Sequence, residues 1–155
     1  MKRSFFVLMA MSLIVLTAVV GCAVDEDAKP EYLFAMPALS GTANADSLTL
    51  NNVSHVIYFS DRPDRIAGHM TLEDFVKNWN EGSDSFTDDP PNATLSVLDE
   101  SGTTETVVEL LNLKIDGAAV TFTVKVLEGK LLESFGPATL FIDAFPTAVN
   151  SQITD

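Results

Sequence analysis

The alternation of apolar and polar residues over 120–126 is the feature that most constrains how this chain can fold. Each apolar residue is followed by one polar residue, in the order Val120, Thr121, Phe122, Thr123, Val124, Lys125 and Val126. Successive side chains of a β-strand point to opposite faces, so a period of two is typical of a strand with one buried face. The alternation therefore predicts a strand that belongs to a half-buried sheet.

Six other apolar stretches extend this prediction along the chain. Turn-forming sequences at 99–102 and at Asp116-Gly117 separate the predicted strands 93–98, 104–115 and 120–127, which favours an antiparallel meander. The turn at Asp116-Gly117 is expected to be of type I′. Strands at this spacing are typical of a sandwich or a barrel. We expect an antiparallel β-sandwich of about seven strands, at 32–36, 48–50, 53–60, 93–98, 104–115, 120–127 and 138–145.

The stretch 104–115 is irregular. Val108 and Leu110 fall on one face of the predicted strand, whereas Leu111, Leu113 and Ile115 fall on the other. Two explanations are open: both faces of this strand are covered, or a β-bulge lies near Leu110.

One short amphipathic helix is predicted over 71–80. It begins with Thr71-Leu-Glu-Asp, which resembles a capping box. The apolar residues that follow have helical spacing, which places them on one face of the helix. These residues are Leu72, Phe75, Val76 and Trp79. The opposite, polar face is expected to hold Glu73, Asp74, Lys77, Asn78 and Asn80.

The N-terminus has the pattern of an export signal. Lys2 and Arg3 precede a stretch without charged residues, from Phe5 to Val20. At the end of this stretch, the residues Val19-Val20-Gly21-Cys22 resemble the lipobox of bacterial lipoproteins. This resemblance implies cleavage after Gly21 and lipidation of Cys22, which would anchor the protein in a membrane of the cell envelope.

Three segments follow from this interpretation. Residues 1–21 are a lipoprotein signal peptide, 22–31 an acidic tether and 32–155 a single domain. By the same resemblance, Ala23 at the second position after the modified cysteine favours the outer membrane, if the cell has two membranes.

Composition excludes several classes of function. The chain has 155 residues, 22 of them acidic and nine basic, for a formal net charge of −13. Such a charge disfavours binding to nucleic acid, because phosphates would be repelled. A single cysteine allows no internal disulfide. No cofactor is indicated, because the sequence has no Gly-rich phosphate loop, no Gly-x-Ser-x-Gly and no His-Glu-x-x-His.

The segment after the third predicted strand contains candidate catalytic residues. A small hydrolase would use Asp61 or Glu73 as a base and His69 as its partner, with an arginine holding an anion. The alternative is an ordered loop, in which Arg62 and Arg65 form ion pairs with neighbouring carboxylates. No nucleophile accompanies the cluster, so we favour the ordered loop.

Two groups of residues are candidate metal ligands. Asp84, Asp88 and Asp89 supply carboxylates suited to calcium, but their spacing matches no EF-hand loop. His55 and His69 are possible ligands that lack a third partner. Phe86, between the acidic residues, is expected to dock into the core.

Larger parts of the chain resemble a family of uncharacterised bacterial exported proteins. The stretches concerned are Tyr58 to Pro63, Ala67 to Met70, Phe75-Val76, Trp79, Asp89 to Ala93 and Gly136 to Asp143. The resemblance implies one domain fold and no activity. We therefore expect a non-enzymatic envelope lipoprotein, a binding or structural module that meets a protein or small-ligand partner at loops 60–70 and 84–92.

Overall fold

A computed structural model describes residues 31–80, 85–100 and 102–145. This part of the chain is mainly β, with one helix, α1 (Leu72–Asn80). The strands are β1 (Tyr32–Ala38), β2 (Ser40–Ala43), β3 (Ser47–Asn51), β4 (Val56–Ser60), β5 (Ala67–Met70), β6 (Asn92–Asp99), β7 (Gly102–Asp116), β8 (Ala119–Glu128), β9 (Ser134–Phe135) and β10 (Ala138–Phe145).

All ten strands join in one antiparallel sheet with the order β5-β4-β1-β10-β6-β7-β8-β3-β2-β9. The sheet is open, with β5 and β9 at its ends. The strands up to β6 in this order form one half of the sheet, and those from β7 onward form the other. Buried residues of both halves belong to one core, including Phe34 and Leu140 from the first half and Leu48 and Phe122 from the second. A shared core between two sheet halves is the packing of a sandwich. The predicted mainly β, antiparallel fold with one short helix is confirmed, with ten strands where about seven were expected.

A β-bulge lies in β7, one of the two strands at the middle of the sheet order. The register of β7 against β8 shifts between Leu110 and Asn112. Before the bulge Val108 and Leu110 are fully buried, and after it Leu113 and Ile115 pack against the same core. The extra residue turns the second set of side chains to the inner face. Of the two explanations open for this stretch, the structure has the bulge.

The helix packs its apolar face against both sheet halves. Thr71 is its N-cap: the Thr71 hydroxyl accepts a hydrogen bond from the Asp74 backbone N–H at 3.1 Å and donates one to the Asp74 carboxylate at 2.7 Å. The Phe75 ring lies 5.7 Å from Phe34 in β1, and the Trp79 ring lies 5.7 Å from Phe122 in β8. The predicted helix is thus confirmed, and it connects the two halves through aromatic contacts.

Two local expectations were wrong. Asn78, assigned to the polar face of the helix, is buried, and its amide donates to the Met70 sulfur at 3.9 Å. The turn after β7 has Gly117-Ala118 at its centre, because Asp116 pairs with Ala119. Among these residues only Gly117 has a positive φ, of 58°, which is the pattern of a type II′ turn and not of type I′.

Candidate functional site

The two loops predicted to meet a partner leave the same end of the sheet. Tyr32, the first residue of β1, lies opposite Ser60, the last residue of β4. β10 ends beside Tyr32, and its central residues pair with the start of β6. Residues 61–66 and the described residues 85–91 of the two predicted loops therefore adjoin one end, separated by β1 and β10, whereas 67–70 form β5 and run back towards the other end. We call it the entry end, because the chain also enters the domain there.

A groove of about 280 Å³ lies on the sheet between these loops. Phe59, just before the first loop, and Asn92, at the close of the second, both line it. Two aromatic side chains on its apolar surface are accessible to solvent: Phe59 is 36% exposed and Phe141 is 46% exposed. The remaining walls include Leu33, Thr94, Val107 and Asp143. A groove with an apolar floor and polar ends is suited to binding.

The first loop is ordered by hydrogen bonds to its own backbone. The Asp61 carboxylate accepts the Arg62 backbone N–H at 2.6 Å, and the Ser60 hydroxyl accepts the Ile66 N–H at 2.8 Å. Within the described residues neither Arg62 nor Arg65 takes part in an ion pair. The loop is ordered, as expected. Hydrogen bonds to backbone N–H groups stabilise it, whereas the predicted ion pairs of the arginines are not formed with any described residue. Both guanidinium groups are exposed to solvent.

The structure does not bring the candidate hydrolase residues together. His69 in β5 lies opposite Ile57, and Asp61 follows four residues further along. At roughly 3.3 Å per residue, about 13 Å of strand separates their levels in the sheet. Glu73 lies in the first turn of α1 and lines a different groove, with Val53 and Ile115. Asp61, His69 and Glu73 therefore do not converge on one point at which a substrate could contact all three.

The second loop is held by its aromatic residue. Phe86 is 1% exposed and its ring lies 5.0 Å from that of Trp79, so the expected docking into the core is confirmed. Asp88 accepts a hydrogen bond from the Ser85 hydroxyl at 3.1 Å, and both Asp88 and Asp89 are exposed. Asp84, the third acidic candidate for calcium, lies outside the described residues. Among those described, no three potential ligands are grouped around one point.

Two histidines that the sequence leaves apart meet in the fold. The imidazole rings of His55 and His69 lie 4.9 Å apart at an interplanar angle of 70°. The Ser54 hydroxyl lies 2.7 Å from Nδ1 of His55. Both histidines are named from the sequence as possible ligands, but their contact could not be predicted, because it depends on the register of β4 against β5, which no local pattern reports. An alternation that included His69 would have been the only signal, and Ala67 to Met70 is too short to show one.

Burial also perturbs a tyrosine at the entry end. Removal of Tyr32 from water raises the pKa of its hydroxyl above the ordinary value of 10.0, and the negative charges of ionised Tyr58 and of Asp64 add to the effect. The Tyr32 and Tyr58 rings are edge-on, with centroids 5.8 Å apart. The neutral form of Tyr32 is therefore the form that the fold favours.

Comparison of the chain with protein-family models, with curated proteins and with solved structures gives no match. In the described part of the chain, no helix has the length and apolar character needed to cross a membrane. The predicted signal peptide, the sequence that resembles a lipobox with Cys22 and nearly all of the predicted acidic tether lie outside the described residues.

Proposed function

We propose that this chain is a lipid-anchored protein of the bacterial cell envelope, and that its domain is a non-enzymatic binding module. The sequence Val19-Val20-Gly21-Cys22 supports the anchor. One observation supports the binding role: the sheet register brings residues 61–66 and 85–91 of the two loops to the same end, with an accessible aromatic groove between them. By the pattern that includes Ala23, the membrane would be the outer one of a two-membrane envelope.

The groove would lie at the end of the domain nearest to the membrane. The chain enters β1 at Tyr32, so the tether of residues 22–31 would leave the domain at the entry end. Ten extended residues span at most about 33–36 Å, which keeps the groove within reach of the lipid surface. A partner would then bind between the domain and the membrane. An extended segment of another envelope protein suits this position.

The charge of the entry end indicates which kind of partner segment would bind there. Carboxylates outnumber cations in the loops and strand ends that border the groove: Asp61, Asp64, Asp88, Asp89 and Asp143 against Arg62 and Arg65. Complementary potentials govern partner choice, so the segment should be positively charged. Exposed aromatic side chains at the centre favour apolar residues within it. The expected partner is a basic polypeptide segment that places apolar side chains in the groove.

Site-specific photo-crosslinking in native envelopes tests this proposal. The full-length chain carries a benzophenone amino acid in place of Phe141, or, as the matched control, in place of Leu39, which is 67% exposed at the far end of β1. We expect one discrete adduct from position 141, absent from position 39 and lost when Phe59→Ser is added. Mass spectrometry should place the crosslink in a basic, apolar segment. Equal crosslinking from both positions, or an acidic crosslinked peptide, contradicts the proposal.

A further inference from the structure

The two histidines of the chain lie on one face at the opposite end of β4 from the groove. Val56 pairs with Met70 and Ile57 with His69, so His55, just before β4, is a diagonal cross-strand neighbour of His69. Diagonal neighbours share a face and lie within reach of long or aromatic side chains. This register explains the ring separation of 4.9 Å. The pair is therefore built by the backbone, since β5 is fixed against β4 through four residue pairs.

The chemistry of this pair suits a transition metal. Neutral imidazole is a ligand of Zn²⁺, Cu²⁺ and Ni²⁺, with metal–nitrogen distances of about 2.0–2.1 Å for zinc. Hydrogen bonding of one ring nitrogen commonly orients the other nitrogen towards a metal. In the tautomer with the proton on Nδ1, the His55 ring donates to the Ser54 hydroxyl at 2.7 Å in this way, and the lone pair of Nε2 is left for an ion. His69 is exposed and His55 is half-buried, so an ion can reach both.

We propose that His55 and His69 form a two-histidine site for a divalent transition-metal ion, whose other coordination positions are filled by water. Among the described residues no third histidine, cysteine or carboxylate completes the set. The site would therefore be open and exchangeable, unlike a closed structural zinc site. With nitrogen ligands the order of affinity should follow the Irving–Williams series, so that Cu²⁺ binds more tightly than Ni²⁺ or Zn²⁺.

Titration of the full-length chain with Cu²⁺ tests this site with little ambiguity, because these are its only histidines. We expect one tight Cu²⁺ per chain, with an electron paramagnetic resonance spectrum showing two coupled nitrogens. His55→Gln and His69→Gln should each weaken binding by about tenfold or more and leave one coupled nitrogen. Cys22→Ser is the control for the single thiol and should bind as the wild type does. Fluorescence of buried Trp79 verifies that each variant is folded.

The many carboxylates of this acidic chain provide the competing explanation. If both histidine variants bind Cu²⁺ as tightly as the wild type, or if the spectrum shows oxygen ligands alone, the proposal is overturned. A wild type that binds Zn²⁺ more tightly than Cu²⁺ also contradicts it. Ser54→Ala gives a second measurement, since loss of the hydroxyl should weaken binding by less than loss of either ring. This site is independent of the groove, so each proposal can fail alone.

Discussion

Close approach of the backbone at Gly41 limits what this position can hold. A Cβ there would meet the Phe135 ring and would lie 2.6 Å from the Thr49 carbonyl oxygen. Gly41 pairs with Phe135, and this pair and the pair Thr42–Ser134 join β9 to the sheet. We expect Gly41→Ala to lower the free energy of unfolding by about 1–3 kcal/mol, the usual cost of overpacking.

Urea unfolding measures this change, and Gly136→Ala is its matched control. A Cβ at Gly136 would meet nothing within 4 Å. The control should therefore leave stability nearly unchanged. Equal stability of the two variants would show that Phe135 moves aside without cost.

The raised pKa of the Tyr32 hydroxyl predicts how the stability of the fold changes at alkaline pH. This pKa is raised in the folded state, so the stabilisation that Tyr32 contributes is complete below the ordinary value of 10.0. Above that pH the unfolded chain loses the phenolic proton while the folded chain retains it, so stability falls until the pH passes the folded pKa. The chain has two tyrosines, and Tyr58→Phe leaves Tyr32 as the only phenol.

Ultraviolet titration of the Tyr58→Phe variant should give a midpoint above 10.0, because burial, the larger cause, remains in place. A midpoint that coincides with that of the unfolded chain in denaturant would contradict this account. Tyr32→Phe should reduce the loss of stability above pH 10, which is measured by unfolding at successive pH values.

At the scale of elements, what the sequence predicted correctly was local. Alternation over 120–124 and the Thr71 cap depend on neighbouring residues, and both appear in the structure as expected, whereas Val126, at the end of the predicted alternation, is exposed. The strands that were missed, β2, β5 and β9, are two to four residues long and have no apolar alternation of their own. They are strands because of the partners they pair with. The contact between the rings of His55 and His69 could not be predicted for the same reason.

The cap of α1 offers a test of a locally encoded element. Thr71→Ala removes the hydroxyl that accepts the Asp74 N–H, and we expect a loss of about 1 kcal/mol in unfolding free energy. Thr71→Ser keeps the hydroxyl and should stay within a few tenths of the wild type. Chemical denaturation followed by Trp79 fluorescence reports both. If Ser and Ala are equally destabilising, the lost methyl group and not the cap is responsible.

At the scale of the whole molecule, charge and anchoring belong to different parts of the chain. Removal of residues 1–21 would take away two of the nine basic residues and none of the 22 acidic ones. The domain that remains is more acidic than the full chain. Anionic lipid would repel such a domain, so the proposed membrane location would depend on the proposed covalent anchor and not on surface charge.

Lipidation of Cys22 is the prediction on which this arrangement depends. Three acyl chains, as the lipobox resemblance implies, hold a protein far more firmly than one, because each buried CH₂ contributes about 0.8 kcal/mol. We expect the wild type expressed in a bacterial host to partition into the detergent phase and to incorporate a labelled fatty acid. Cys22→Ala should lose the label and stay unprocessed or become soluble. The conservative variant Cys22→Ser should behave as Cys22→Ala does, because the thiol is the lipid acceptor. An unlabelled wild type in the aqueous phase would contradict the anchor and leave the groove and the histidine pair to be judged separately.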